Sequence, residues 1–222
     1  MRSTRRRFTP SGRSAWKATT ATFLWLVVSA ADLHGQDSYR IIGAATAPVE
    51  MTVYSDFECP YCRNFALAAL PAVVAEFADR GLLRIRFAYF PLAAIHPNAI
   101  SAAKAAHCAG QAGRFWPYHD YIFVRQPEWA GEKAADSLWI AYAENLGLPR
   151  AQFATCLAAE ESDAVIEADL RQALLAGATG TPTVVLDGES ISGLTSYEEL
   201  RRTILAALAR AALPSDTAPP GG

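Results

Sequence analysis

The sequence predicts an α/β fold in which a central mixed β-sheet, flanked by helices, is interrupted by an inserted all-helical domain. Three observations predict it. Residues 51–57 and 82–90 have the composition of strands, and a segment with helical apolar spacing separates them. An alanine-rich region from about 97 to 177 shows no strand signal. After it, residues 183–192 again have the pattern of strands joined by a turn.

The first half of the sheet begins with a short edge strand at 41–43, followed by the half-buried strand at 51–57. A helix is expected to begin at Pro60, whose missing N–H needs no partner in a first turn, and to end near Gly81. Pro71 lies inside this helix and predicts a kink, because it removes one backbone hydrogen bond. The order strand, helix, strand implies a right-handed crossover and a parallel pair of strands.

The alanine-rich region is expected to form four or five short helices. Gly110 and Gly113, the residues 126–128 and the residues 148–149 are the expected breaks between them. Because strand signals are absent, the whole region is expected to be an all-helical insertion.

A β-hairpin and a final helix complete the predicted fold. The third strand covers 184–186, residues 187–188 favour a tight turn, and the fourth strand includes 191–192. Ser196 and Glu199 match a capping box, which predicts a last helix that runs to about residue 212.

We therefore divide the chain into five segments. They are a signal peptide or uncleaved anchor, the first half of the sheet domain with a cysteine pair, the helical insertion, the second half with a Thr-Pro loop, and a disordered tail rich in Pro and Gly. In that order they cover 1–31, 32–96, 97–177, 178–213 and 214–222.

The charge of the chain is distributed unevenly. Six of the 20 basic residues and none of the 22 acidic residues lie before position 32, so the remainder carries a formal charge of −8. Such acidity argues against nucleic acid and anionic membranes as partners. The apolar run from about 21 to 31 is shorter than the roughly 20 residues that span a bilayer. This pattern predicts an export signal and a periplasmic or other extracytoplasmic location.

The most informative motif is Cys59-Pro60-Tyr61-Cys62, at the junction of a strand and a helix. This spacing lets both sulfurs meet on the first helical turn and close a small disulfide. The first sulfur faces the unpaired N–H groups and the positive end of the helix dipole, which favour a thiolate. A thiolate that attacks and then passes its mixed disulfide to a neighbour is a redox catalyst. A zinc site would need two more ligands at suitable spacing, and the only dense candidate, His107-Cys108, lies in an alanine-rich helix, so no metal is expected.

Cys108 and Cys156 are the other two cysteines. In an oxidising compartment an even number of cysteines suggests two disulfides, here one catalytic and one structural. A bridge between Cys108 and Cys156 would join two helices of the insertion. The alternative is two free, buried thiols that behave as small apolar side chains.

Several short motifs resemble those of the DsbA-like thiol–disulfide oxidoreductases, whose thioredoxin fold is interrupted by a helical domain. The resemblance covers about residues 40–210. The matching motifs are Phe57-Glu58-Cys59-Pro60-Tyr61-Cys62, Phe90-Pro91-Leu92, His96-Pro97-Asn98-Ala99, Ala105-Ala106-His107-Cys108-Ala109, Phe115-Trp116, His119-Asp120 and Gly180-Thr181-Pro182.

The resemblance implies a role for each residue of the site. Cys59 would be the exposed nucleophile and Cys62 the buried resolving cysteine. Pro182 would be a cis-proline whose loop faces the disulfide, and the backbone of Thr181 would offer a strand edge to extended substrates.

Other positions near the cysteines adjust this expectation. Pro60 and Tyr61 lie between the cysteines and would tune the first thiol. Tyr61 lacks the positive charge of a histidine, so we expect a less extreme oxidant than relatives with histidine there. Some relatives place a buried acid six residues before the nucleophile, and here that position is Val53. Asp56 and Glu58 are nearer to the nucleophile. We expect them to be solvated, and a catalytic role for either is the alternative.

We expect an exported thiol–disulfide oxidoreductase that oxidises dithiols in secreted proteins through Cys59 and Cys62. Its expected partners are reduced or misoxidised exported polypeptides and, as the resemblance implies, a quinone-linked membrane thiol oxidase that reoxidises it. Sulfur atoms carry the electrons, so no cofactor is needed, and a monomer is expected. Two alternatives stay open. One is a disulfide reductase or isomerase, and the other is a peptide-binding chaperone module with a vestigial redox site.

Overall fold

The computed structural model describes residues 38–131, 134, 136–193 and 196–213. The expected signal peptide or anchor at 1–31 and the expected tail at 214–222 lie outside the described residues. Within the described part of the chain, each helix is too short or too polar to cross a bilayer.

A five-stranded mixed sheet forms the centre of the fold, with the strand order β1-β3-β2-β4-β5. β2 pairs with β3 in parallel, and the other neighbouring strands are antiparallel. The strands are β1 (Ile41–Ile42), β2 (Val49–Ser55), β3 (Leu83–Tyr89), β4 (Thr183–Leu186) and β5 (Glu189–Ser192). The predicted α/β class and thioredoxin fold are confirmed, with the strand limits shifted by one or two residues.

The helix that follows β2, α1, consists of four consecutive segments. Pro60–Asn64 and Leu70–Val73 are α-helical, whereas Phe65–Ala69 and Val74–Ala78 are π-helical. Pro71 lies at the start of the second α-helical segment, and the N–H of Leu70 donates to the carbonyl of Phe65, five residues earlier. The wider π turn precedes the residue that lacks an N–H. A change of helix type therefore accompanies Pro71, where the sequence predicts a kink.

Six helices follow β3 in the described part of the insertion, rather than the four or five expected. The additional helix is at Gln126–Trp129, where the sequence predicts a break, and Pro127 fits its first turn because a first-turn N–H has no helical partner. The six are α2 (Ala99–Gln111), α3 (Phe115–Val124), α4 (Gln126–Trp129), α5 (Asp136–Asn145), α6 (Arg150–Ala158) and α7 (Glu161–Leu175).

The last helix, α8 (Tyr197–Ala211), begins at the predicted capping residue. The Ser196 hydroxyl oxygen accepts the N–H of Glu199 at 3.3 Å. Leu200 and Ile204 of α8 pack with Met51 of β2 and Ile85 of β3 in an apolar core between the sheet and its helices.

A second core lies in the insertion and extends into the sheet. Phe115 and Trp139 are buried there together with Phe57, which follows β2, and with Phe87 and Tyr89 of β3. The rings of Phe57 and Phe87 are stacked at 5.2 Å between centroids. The insertion therefore packs directly on the segment that leads into the Cys-Pro-Tyr-Cys motif.

A buried ionic cluster also fastens the insertion to the sheet. Asp169 of α7 accepts hydrogen bonds from Arg40, from Arg86 at 2.6 Å and from the backbone N–H of Tyr89 at 2.9 Å. Asp169 is 2% exposed, so each of these bonds compensates a charge that has left water. This single carboxylate connects α7, β3 and the segment before β1.

Cys108 of α2 and Cys156 of α6 are joined in a disulfide with a Cα–Cα distance of 5.7 Å. The two cysteines are 48 residues apart in sequence. A cross-link over a loop of this length restricts the unfolded chain strongly.

We predict that replacing both cysteines, Cys108→Ala with Cys156→Ala, lowers the free energy of unfolding by about 4 kcal/mol in the chain-entropy estimate. Urea denaturation without reductant measures it. The control is the unreplaced protein with this disulfide reduced, which should match the double variant. An unfolding free energy unchanged by both treatments would contradict the prediction.

Candidate active site

Cys59 and Cys62 lie where the central strand β2 gives way to α1. Cys59 is the capping residue of the helix, with extended backbone angles (φ −71°, ψ 124°), and Pro60 opens the first turn. The turn before the helix is closed by the N–H of Cys59, which donates to the carbonyl of Asp56 at 3.2 Å. Both thiols are free in this structure. The local sequence thus places two sulfurs on one helical turn at the end of the central strand.

Cys59 is covered by the loop that leads into β4. Only 4% of the residue is accessible, and its Sγ lies 3.4 Å from the carbonyl oxygen of Thr181. The peptide bond between Thr181 and Pro182 is cis. The exposure that the resemblance implies for Cys59 is therefore wrong, because this loop lies over the sulfur. A polypeptide that reaches Cys59 must do so alongside Thr181.

The surroundings of Cys59 favour its thiolate. The hydrogen bond from the Cys62 thiol is the largest influence that lowers the pKa of Cys59. Burial opposes it, whereas the Thr181 side chain and the N–H groups of Cys62 and Tyr61 lower the pKa further. The balance brings the pKa of Cys59 from 9.0 to about 6. At neutral pH Cys59 is therefore mostly ionised, which makes it the better nucleophile.

Cys62 has the opposite tendency. Burial raises the pKa of the Cys62 thiol well above its ordinary value, and the neighbouring Cys59 raises it further. Cys62 is 0% exposed, and its Sγ accepts the backbone N–H of Asp56 at 3.4 Å. Cys62 thus keeps its proton and donates it in a hydrogen bond to Cys59. The two sulfurs are chemically distinct, as a nucleophile and a resolving thiol must be.

Two carboxylates next to the motif are buried, contrary to the expectation that they are solvated. Asp56 and Glu58 are 1% and 3% exposed. Asp56 accepts the N–H groups of Glu58 and Leu92, both at 2.8 Å, and its Oδ2 lies 2.7 Å from Nδ1 of His96. Several donors per carboxylate offset the cost of removing the charge from water. Val53, by contrast, belongs to the apolar core between the sheet and its helices.

Gln126 and Asn98 of the insertion also reach this site, and the sequence analysis did not single out either for a role there. The side-chain amide of Gln126 donates to the carbonyl of Cys59 at 3.0 Å, although the two residues are 67 positions apart. Asn98 donates to the carboxylate of Glu58. No local pattern could reveal these contacts, because they depend on how the insertion docks on the sheet.

Pro60 and Tyr61 are the exposed members of the motif, and 66% of the surface of Tyr61 is accessible. Its ring is therefore available to a polypeptide that approaches Cys59. In the described ranges, no three His, Cys, Asp or Glu side chains come together in a way that could hold a metal ion.

Known proteins share the fold of this chain. The family model described as thioredoxin matches residues 36–206. A structure of α-DsbA1 from Wolbachia pipientis superimposes with a TM-score of 0.69 at 20% identity, covering 78% of this chain and 92% of that chain. This likeness shows a shared fold.

Two curated proteins that are similar in sequence to this chain differ from each other in length and in name. A Na⁺/H⁺ antiporter, NhaA 3, from Salinispora tropica is 36% identical over 177 residues, which are 80% of this chain and 26% of that protein. The chain thus spans about a quarter of the length of the first curated relatives it matches. A probable disulfide bond formation protein D from Bacillus cereus is 24% identical over 160 residues, which are 71% of this chain and 74% of that protein.

We predict that the Cys59 thiolate titrates with a midpoint near pH 6 and that Cys62 sustains this value. In Cys62→Ala the donor is lost, and the midpoint should rise by about one pH unit or more. In the matched variant Cys62→Ser a hydroxyl can still donate, and the midpoint should stay closer to that of the native pair. Thiolate absorbance and alkylation rates, both measured against pH, report the midpoint. Equal midpoints in the two variants would contradict the assigned cause.

The lowered pKa of Cys59 also predicts how the stability of the reduced protein depends on pH. The folded state ionises near pH 6 and the unfolded state near 9, so the folded thiolate adds stability as pH rises from 6 towards 9 and none well below 6. Compared with Cys59→Ser, the reduced protein should gain about 2 kcal/mol of unfolding free energy between pH 6 and pH 8.

Urea titrations of both proteins in reductant at several pH values measure this difference. In this window Cys62 is protonated whether folded or unfolded, so it contributes little to the slope. A difference that stays flat or falls with pH would show that the thiolate is not favoured by folding.

Proposed function

We propose a function for this chain, which belongs to the thioredoxin family. It is an exported thiol–disulfide oxidoreductase of the DsbA-like kind that oxidises dithiols in secreted polypeptides. In this proposal Cys59 is the nucleophile and Cys62 the resolving cysteine, and the loop at Thr181 and Pro182 faces the substrate. The observation that carries it is the placement of Cys59 at the head of α1, where its thiolate is favoured beside the protonated Cys62.

The reaction is an exchange of disulfide bonds. A thiolate of the substrate attacks Sγ of Cys59 in the Cys59–Cys62 disulfide, the S–S bond breaks, and Cys62 leaves and takes up a proton. The second substrate thiolate then attacks its partner sulfur in the mixed disulfide and expels Cys59 as a thiolate. Two electrons pass from the substrate to the enzyme. Of the two substrate protons, one is retained on Cys62 and one is released to water.

The acidity of Cys59 supports the oxidising direction. Each pKa unit by which the thiolate is favoured stabilises the reduced enzyme by about 1.4 kcal/mol, and this makes the disulfide a stronger oxidant. A pKa near 6 is lower than that of a free thiol, about 8.5, yet it lies within the upper part of the range for activated cysteines, about 3.5–7.5. A moderately strong oxidant is the expected result, consistent with the absence of a cation at Tyr61.

Two further observations support the proposed setting. The Cys108–Cys156 disulfide is the type of cross-link that persists in oxidising compartments, and the basic and apolar segment before position 32 has the composition of an export signal. The proposed substrates are reduced or misoxidised exported polypeptides. Family resemblance supports a quinone-linked membrane thiol oxidase as the partner that restores the Cys59–Cys62 disulfide.

We predict an equilibrium potential against glutathione between about −120 and −200 mV, towards the oxidising end of the thioredoxin-fold proteins. The oxidised protein should also form disulfides in a reduced, unfolded secreted protein. Cys59→Ser should abolish this activity. When Cys62→Ser is given a disulfide-bonded substrate, the Cys59 thiolate should displace one substrate sulfur and stay in a mixed disulfide with the other, visible by mass spectrometry.

Each alternative gives a different result in the same assays. A potential near −270 mV, the value of thioredoxin, would instead indicate a disulfide reductase. Rearrangement of scrambled disulfides without net oxidation would indicate an isomerase. Suppression of substrate aggregation that is undiminished in the double variant Cys59→Ser with Cys62→Ser would indicate a chaperone module.

A further inference from the structure

The helical insertion holds the turn before Cys59 through a buried amide. Gln126, at the start of α4, is 4% exposed, and its Nε2 donates to the carbonyl of Phe57 at 2.7 Å and to that of Cys59 at 3.0 Å. These are the two amide hydrogens of one side chain, each aimed at a different carbonyl. Without Gln126 the buried carbonyl of Phe57 would lose this donor, whereas the carbonyl of Cys59 would keep only the N–H of Arg63, which it accepts at 3.1 Å.

A second contact holds the residue between those two carbonyls. Glu58 accepts the backbone N–H of Asn98 at 2.6 Å, the side-chain amide of Asn98 at 3.0 Å and the N–H of Gly131 at 2.7 Å. Asn98 is fully buried and also donates to the carbonyl of Trp129, at the other end of α4. Every donor to the Glu58 carboxylate named here therefore belongs to the region after β3.

These contacts act on the geometry that makes Cys59 reactive. The thiolate is favoured partly by the N–H groups of Tyr61 and Cys62 and by the Cys62 thiol. Their hydrogen bonds depend on the direction of the Cys59 side chain, and that direction depends on the backbone at 57–59. A side chain that fixes the carbonyls on either side of Glu58 also fixes where the sulfur points.

We propose that Gln126 is a positioning residue for the nucleophile, through which the helical insertion orients Cys59 towards the first turn of α1. Gln126 acts through the backbone and does not touch the reacting sulfur. The effect of Gln126 on catalysis rests on the proposed function. Its effect on the acidity of the Cys59 thiol can be measured without any substrate.

The alternative is that Gln126 only stabilises the packing of the insertion. A purely structural contact would lower the resistance to denaturation and leave the acidity of Cys59 unchanged. Tyr118 provides a matched control, because its buried hydroxyl donates to the carbonyl of Trp139 at 3.1 Å within the insertion and lies outside the site. Tyr118→Phe removes that bond and keeps the ring.

The experiment compares Gln126→Leu, which has similar size and no donor, with Tyr118→Phe in the full chain. We expect the midpoint of the Cys59 titration to rise by about one pH unit in Gln126→Leu. Alkylation by iodoacetamide at pH 6.5 would then be about threefold slower, in proportion to the thiolate fraction. Tyr118→Phe should leave both values unchanged. If Gln126→Leu does not fold, Gln126→Asn, whose amide is one methylene shorter, should shift the midpoint in the same direction.

An unchanged midpoint in a folded Gln126 variant would overturn the inference, and so would equal shifts in Gln126→Leu and Tyr118→Phe. The proposed function can fail separately. If the unsubstituted protein does not oxidise substrate dithiols while the Gln126 variants still shift the Cys59 midpoint, the positioning role stands and the proposed oxidase activity falls.

Discussion

The hydrogen bond between the Cys62 thiol and the Cys59 sulfur is the interaction on which the chemistry of this fold depends. It requires one sulfur to be ionised and the other protonated, although both are withdrawn from water. An ionised group that is only 4% exposed is tolerated only where donors replace water. The N-terminal turn of α1 supplies those donors, and the loop at Thr181 covers the sulfur. The reactivity of Cys59 therefore depends on the conformation of the backbone at the end of β2.

The surrounding structure keeps that backbone in place. Asp56 and Glu58 are buried beside the motif with a donor for each carboxylate oxygen, and Gln126 supplies donors to two carbonyls of the same turn. Each polar group of this set would be costly if left without its partner. The helical insertion is thus part of the redox site rather than a cover placed over it. This explains why its aromatic core continues into Phe57 and Phe87.

The sequence predicted the architecture well, because the limits of strands and helices depend on neighbouring residues. The alternation in β2, Pro60 at the head of α1 and the Ser196 cap of α8 each depend on a few adjacent positions. The burial of Asp56 and Glu58 could not be predicted in this way, since their donors Leu92, Asn98 and Gly131 are distant in sequence. Likewise, Gln126 suggested only a helix break beside Pro127. The covering of Cys59 arises from a contact 122 residues away.

The aromatic core shared by the insertion and the sheet has a consequence for modularity. Although residues between β3 and β4 form their own helices, excising them would strip the rings of Phe57, Phe87 and Tyr89 of their packing partners and leave Arg40 and Arg86 without the Asp169 carboxylate. A shortened chain that kept only the sheet, α1 and α8 would expose an apolar surface beside the sulfur of Cys59. The sheet and the insertion should therefore unfold as one cooperative unit.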